Sequence, residues 1–305
     1  MVDYYKNKLG EIPSFLYKYL EVPSLVRLKK VGYFCGMDYA SKDVYNFSEL
    51  ITRYDHSLTV ALITWKYTNS REATLAALFH DIATPCFSHV IDYMNKDYET
   101  QESTEEYTEI ILRSDIILKK YLLEDKIDIN DIIDFKKYNI VDNDRPRLCA
   151  DRLDGLILTG IGWTKSVCKN EIDILLDNLT LCTDEKGNNE LGFNNKEAAL
   201  LALNISDEID SYCHSYEDNF MMELLANITS LAISEGIIRY EELYVMNEEQ
   251  LFSLLIDNAS LELLGLLHMF RGVKKDQINK IEINNIKKRE LNPLVLNKRI
   301  KKEIN

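Results

Sequence analysis

Proline and glycine are scarce, at 5 and 11 of 305 residues. That scarcity argues against a turn-rich all-β sandwich and favours helix. The six cysteines, at 35, 86, 149, 168, 182 and 213, include no C-x-x-C pair. Neither a zinc ribbon nor a thioredoxin-type motif is therefore present. Apolar runs such as Thr74 to Phe79 are far too short for a bilayer. The opening MVDYYKNKLG has no signal-peptide character. These features lead to the expectation of a cytoplasmic protein with free thiols and no membrane contact. A basic excess is also lacking: the formal net charge is −14, which disfavours nonspecific nucleic-acid binding.

What is present is an ordinary globular composition, 46% apolar and 28% charged. No internal repeat or low-complexity linker interrupts it. Charge is uneven along the chain. Arg271 to Asn305 holds 11 Lys and Arg against 4 Asp and Glu, a net of +7, leaving −21 on the preceding 270 residues. This basic segment reads as a solvated helix docked on the acidic body; a contact to a neighbouring subunit, a nucleotide or nucleic acid is the alternative.

Helical periodicity recurs in His56 to Tyr67, Arg71 to Phe79 and Leu148 to Ile161, the last stopping at Gly162. Ser103 to Leu112 begins with a candidate capping box, Ser103 and Glu106. Lys196 to Ile233 fits one or two long helices. Leu179 to Phe193 reads as a small β-hairpin around Lys186-Gly187-Asn188-Asn189. The first 43 residues, with Pro13, Pro23, Gly32 and Gly36, suggest short elements wrapped on the helical body. The expected fold class is all-α. Residues 1–165 would hold the N-terminal segment and catalytic core, and residues 166–305 a C-terminal helical extension, in two domains or one continuous one.

The residues that carry chemistry are His56, His80, Asp81 and Asp151. They lie on three apolar helical segments. Two imidazoles and two carboxylates suit one divalent transition metal, Fe, Mn, Co, Ni or Zn, better than calcium. Four protein ligands leave positions for water and a phosphate oxygen, which is hydrolytic chemistry. A His-Asp pair alone is more often a capping or surface feature, so the surrounding text matters.

That text resembles the HD-domain phosphohydrolases, whose metal motif is H…HD…D. It is most similar to their branch of deoxynucleoside triphosphate triphosphohydrolases. RYDHSLTVA (Arg53 to Ala61), HDIATPCFSHVID (His80 to Asp92) and DRLD (Asp151 to Asp154) follow the family motifs in order. Arg27-Leu28 with Lys30, DSYCHSYEDNFMMELL (Asp210 to Leu225) and NEEQLFSLL (Asn247 to Leu255) echo its flanking segments. The resemblance runs from Pro13 to Leu267 and is weakest across the hairpin. It implies an HD helical core, to which the hairpin read from the residues is a minor addition, and a homo-oligomer. It also implies metal binding by His56, His80, Asp81 and Asp151, with Mg accompanying the substrate phosphates as a further option. Arg53 would contact phosphate, as a guanidinium fork can; a structural salt bridge, with Asp55 or another acid, is the alternative. His89 and Asp92 match polar active-site positions, and His89 equally suits a satisfied core histidine. His214 matches a histidine that binds no metal, and His268 reads as structural.

Three departures bear on the substrate. The family histidine four positions after the motif histidine is Thr84 here, and a second one downstream is Gln101. Neither can act as a general acid at neutral pH. The family's sugar-sensing Tyr and Asp fall on Gly155 and Thr159. Thr84 and Gln101 then remain as substrate contacts, and leaving-group protonation passes to Asp92, His89 or Glu102. The expected function is metal-dependent hydrolysis of a nucleotide or related phosphate ester. The main alternative is an altered HD protein that senses a nucleotide. A mixed-valence di-iron oxygenase needs about six His and carboxylate ligands, and the chain has only 5 His. An acidic helical scaffold without chemistry would not explain the ordered motifs.

Overall fold

The computed structural model describes residues 1–305 except 102, 106, 279–282, 284 and 301–305. The architecture is predominantly helical, with one small sheet. The helix Arg53–Thr68 starts earlier than its apolar periodicity suggests, because Thr52 and Asp55 form a reciprocal capping box. It ends at Asn69, whose left-handed φ of 50° breaks the helix. Ser70 caps the next helix, Arg71–Phe79, by accepting the Ala73 N–H. The Cys149 thiol caps Ala150–Thr159 by accepting the Arg152 N–H. The Arg53–Thr68 helix packs against both of the others. Leu58, Val60, Ala61, Leu62 and Ile63 are buried in that core, beside Leu75 to Phe79 and Leu153, Leu156, Ile157 and Leu158. Burying this apolar surface is the main force holding the three helices in register.

The structure refines several expectations in detail. Lys196 to Ile233 is two helices, Lys196–Cys213 and Tyr216–Ser234, separated where Ser215 caps the second. The α-helix expected from Ser103 begins at Thr108; Ser103–Glu105 is a 3-10 turn, and Glu106 lies outside the described residues. The helix expected to run to Ile161 gives way after Thr159 to a π turn, Gly160–Thr164. Gly162 is required there: a Cβ on it would meet Phe34 Cζ at 2.4 Å.

The hairpin forms as expected, β1 (Leu179–Thr183) antiparallel to β2 (Asn189–Phe193). Two short strands join it, β3 (Leu294–Val295) and β4 (Lys298–Arg299), in the order β1-β2-β3-β4. β3 runs parallel to β2, with Gly192 opposite Leu294. After the end of the Leu261–Gly272 helix and a 3-10 turn at Lys275–Gln277, the described part of the basic segment docks on the body as extended chain and strand, not as the expected helix. Arg299 completes the docking through Glu190, which is almost fully buried, and Glu185. Burial forces this charge to be paired, and Arg offers a fork that can bind both oxygens of Glu190.

Candidate metal centre

Each element delivers one part of the site. His56 projects from the Arg53–Thr68 helix, His80 follows Arg71–Phe79 as its cap residue, and Asp81 comes next. Asp151 lies in the first turn of Ala150–Thr159. His56 Nε2 is 3.0 Å from Asp151 Oδ1 and 3.7 Å from Asp81 Oδ2. His80 Nε2 is 3.6 Å from Asp151 Oδ1 and 3.7 Å from Asp81 Oδ1. The imidazole centroids are 5.1 Å apart. The structure thus brings all four residues of the sequence motif together, and ligand atoms of His56, His80 and Asp151 lie within 4.8 Å of one another.

The chemistry of the donors fits a cation. His80 Nδ1 is 2.7 Å from the Ala77 carbonyl, an acceptor only, so Nδ1 carries the proton. His80 Nε2 is buried with no hydrogen-bond partner among the described residues, leaving its lone pair free for a metal. His56 Nδ1 is 2.7 Å from Asp154 Oδ2, and the Tyr5 hydroxyl donates to the other Asp154 oxygen at 2.5 Å. Both imidazoles are therefore held from behind with Nε2 turned to the centre. Burial alone would lower the His56 pKa, but Asp151 and Asp154 more than offset that and push it up to about 10. Burial raises the Asp81 pKa, and His80, Arg53 and His56 outweigh it, bringing it down to about 2. Such a cluster favours positive charge at its middle, which a dication supplies.

Residues 53–156 match the model of the HD domain. The HD segment thus contains all four residues of the cluster. The chain is also similar to an uncharacterized protein, YdhJ, of Bacillus subtilis (strain 168). The two are 26% identical over 223 residues, covering 71% of this chain. That match spans 65% of the Bacillus protein's length.

The HD centre opens on a cavity of about 530 Å³. Arg53 lines it, but its Nη1 is 2.9 Å from Asp81 Oδ2 and its Nε donates to Ser88 Oγ at 3.2 Å. It holds Asp81 in place while facing the cavity. The ion pair is with Asp81, not Asp55, which instead caps its helix and pairs with Lys6. His89 also lines the cavity, with Nδ1 2.8 Å from Asp92 Oδ2. Asp92 itself is fully buried and does not line the cavity; its second oxygen accepts the Ser103 N–H. It stands behind His89, on the Nδ1 side of the ring. Gln101 reaches the cavity from a residue with φ of 52°. Thr84 does not line it: its side chain is buried, and its carbonyl accepts a bond from Arg27 at 2.6 Å. Glu102 lies outside the described residues. His214 sits on its own helix end, 2.7 Å from the Asp210 carbonyl, and neither it nor His268 lines the cavity.

Residues not singled out in the sequence complete the site. Asp154 is three positions after Asp151 and so shares its helix face, a spacing that could have exposed it. Tyr33 had no such signal. Its hydroxyl lies 3.3 Å from where a Cβ on Gly155 would stand, and its ring covers His56 at 5.2 Å and Arg53 at 5.0 Å. An aromatic hydroxyl from the N-terminal segment thus approaches the space opened by glycine at position 155. Asp142 belongs to the same neighbourhood, grouped with Cys149 and Asp151. Phe34, Tyr45, Phe47 and Trp163 give the cavity an aromatic wall, with Phe34 and Phe47 stacked at 4.3 Å.

Proposed function

We propose that this protein is a metal-dependent phosphohydrolase acting on a nucleotide or related phosphate ester. The resemblance extends the proposal to a substrate like that of the deoxynucleoside triphosphate triphosphohydrolases and to a homo-oligomer, and the free thiols extend it to a reducing cytoplasm. The observation that carries it is the convergence of His56, His80, Asp81 and Asp151, both imidazoles tied at Nδ1, on the wall of a cavity of substrate size. These four residues would hold the metal, which supplies Lewis-acid activation of water and of a phosphoryl oxygen. Arg53 keeps the Asp81 carboxylate in position and offers positive charge to phosphate. His89, oriented by Asp92, presents Nε2 to the cavity as the proton donor to a leaving group or as a phosphate contact. The aromatic wall excludes water from the apolar part of the substrate.

The test is metal content and phosphate release by the full-length protein, with Mn, Fe, Co, Ni, Zn and Mg. Nucleoside mono-, di- and triphosphates and cyclic nucleotides are the substrates. Metal near one per chain, with release from one class that Asp81→Ala abolishes, supports the reading. Release unchanged in Asp81→Ala would defeat it. A second reading, a nucleotide sensor, draws on Thr84 and Gln101, which place no imidazole at either position. Calorimetric nucleotide binding without turnover under every metal would favour that sensor.

A further inference from the structure

The basic segment takes no part in the metal cluster, yet it walls the same cavity. Its extended stretch, residues 286–292, is pinned to several elements. The Lys287 N–H donates to the Tyr98 carbonyl at 2.9 Å, and the Arg289 N–H to Asp210 Oδ1 at 2.7 Å. Ser206 Oγ donates to the Arg289 carbonyl at 2.7 Å, and the Asn292 N–H to the Pro146 carbonyl at 2.8 Å. Ile286 and Leu291 are buried. This anchoring delivers Arg289 to the cavity wall, to which residues 142–147 contribute Arg145. Arg145 Nη1 reaches the Glu290 carbonyl at 3.5 Å, so the two segments meet.

Among the other cavity cations, Arg53 is matched with Asp81, Arg152 with Asp142, Lys136 with Glu105 and Arg147 with Asp184, and Lys287 Nζ donates to the Thr100 carbonyl at 2.7 Å. Among the described residues, neither Arg145 nor Arg289 has a carboxylate at ion-pair distance. Arg289 interacts electrostatically with the Cys213 thiol and with Asp218. Arg145 lines the cavity and is exposed to solvent, yet protein surrounds much of its guanidinium. That surrounding, with the nearby charges of Arg152 and Arg289, pulls its pKa down to about 10. Guanidinium groups that repel one another across a cavity gain from an anion placed between them.

We propose that Arg145 and Arg289 form an anion subsite in the metal-centre cavity, selecting phosphate esters that carry a second anionic group. Selection of a substrate rests on the phosphohydrolase reading; the anion binding does not. The second group is a phosphate or a carboxylate, since the planar fork of Arg accepts either.

The test is calorimetric titration of the metal-free, full-length protein with inorganic triphosphate, orthophosphate and phosphonoacetate. Triphosphate or phosphonoacetate should bind more tightly than orthophosphate, and which of them does so names the second group. Arg145→Gln and Arg289→Gln should each weaken that binding about tenfold, with Arg289→Lys recovering part of it. The double variant should lose less than the product of the single losses, because both residues act on one anion. A merely structural role would not produce that coupling or the charge-dependent recovery. If Arg289→Gln fails to fold, Arg145→Gln decides alone. Wild-type affinity in the variants, or equal losses for orthophosphate, overturns the subsite. Failure of the phosphohydrolase reading shows differently, as absent turnover with anion binding intact.

Discussion

Asp154 Oδ2 lies 2.7 Å from His56 Nδ1, and Tyr5 anchors the same carboxylate from the N-terminal helix Val2–Leu9. This carboxylate fixes the tautomer and orientation of a candidate metal ligand from the Nδ1 side of its ring, opposite the Nε2 that would bind the metal. Asp154→Asn should lower metal affinity about 10- to 100-fold. Competition with a chromophoric chelator measures it. Unchanged affinity would show that Asp154 only fills space.

His89 and Asp92 act in series. His89→Gln should reduce kcat about a hundredfold with a leaving group that needs protonation. Asp92→Asn should have a smaller effect, since it loosens the ring without removing it. Both should matter less with a better leaving group. Rates on two esters of different leaving-group pKa check this, and equal losses on both would remove His89 as proton donor.

Glu248 gives a pH dependence of stability away from the metal centre. It is buried, accepting the Phe87 N–H at 3.3 Å, and burial together with nearby Asp38 pushes its pKa up to about 7. The unfolded chain releases this proton near 4.5. Between those values the folded state binds more protons, so this contribution to stability falls as pH rises through the window. Glu248→Gln should flatten the loss and be more stable at pH 8, by on the order of 2 kcal/mol. Denaturant titrations from pH 4 to pH 8 measure it; parallel curves for both proteins would contradict the assignment.

Gly162 has Phe34 and Ile51 against it, the latter's Cδ1 3.1 Å from an added Cβ. Gly162→Ala should destabilise the protein by about 1–3 kcal/mol through overpacking. It should also disturb the Phe34–Phe47 stack at the cavity wall. An unchanged midpoint in urea would mean that the π turn relaxes without cost.

The local features were legible where one segment decides them. Apolar spacing and helix formers marked Arg71–Phe79, and β-prone residues around Gly187 marked β1 and β2. The metal candidates were legible because three short motifs, each within its own element, carry them. The helix starting at Thr108 was misplaced because a polar run beginning at Ser103 imitates a cap. Thr84 was given a substrate role from its place after His80, but the turn there buries its side chain. The basic segment was read as helix from its charge. Its strands form because β2 offers an edge and Glu190 a buried carboxylate.

By itself the sequence determined the helical class and the hairpin, which depend on periodicity and turn chemistry within short windows, and the resemblance of its short motifs to a known family singled out the four candidate metal residues. Tertiary structure alone decided that Asp154 stands behind His56, that Tyr33 approaches Gly155, and that Arg289 shares a cavity with Arg145. Each pair joins residues separated by many positions, and no local propensity encodes their meeting. Packing of the apolar helix faces brings them together, and the burial that results makes their charges count.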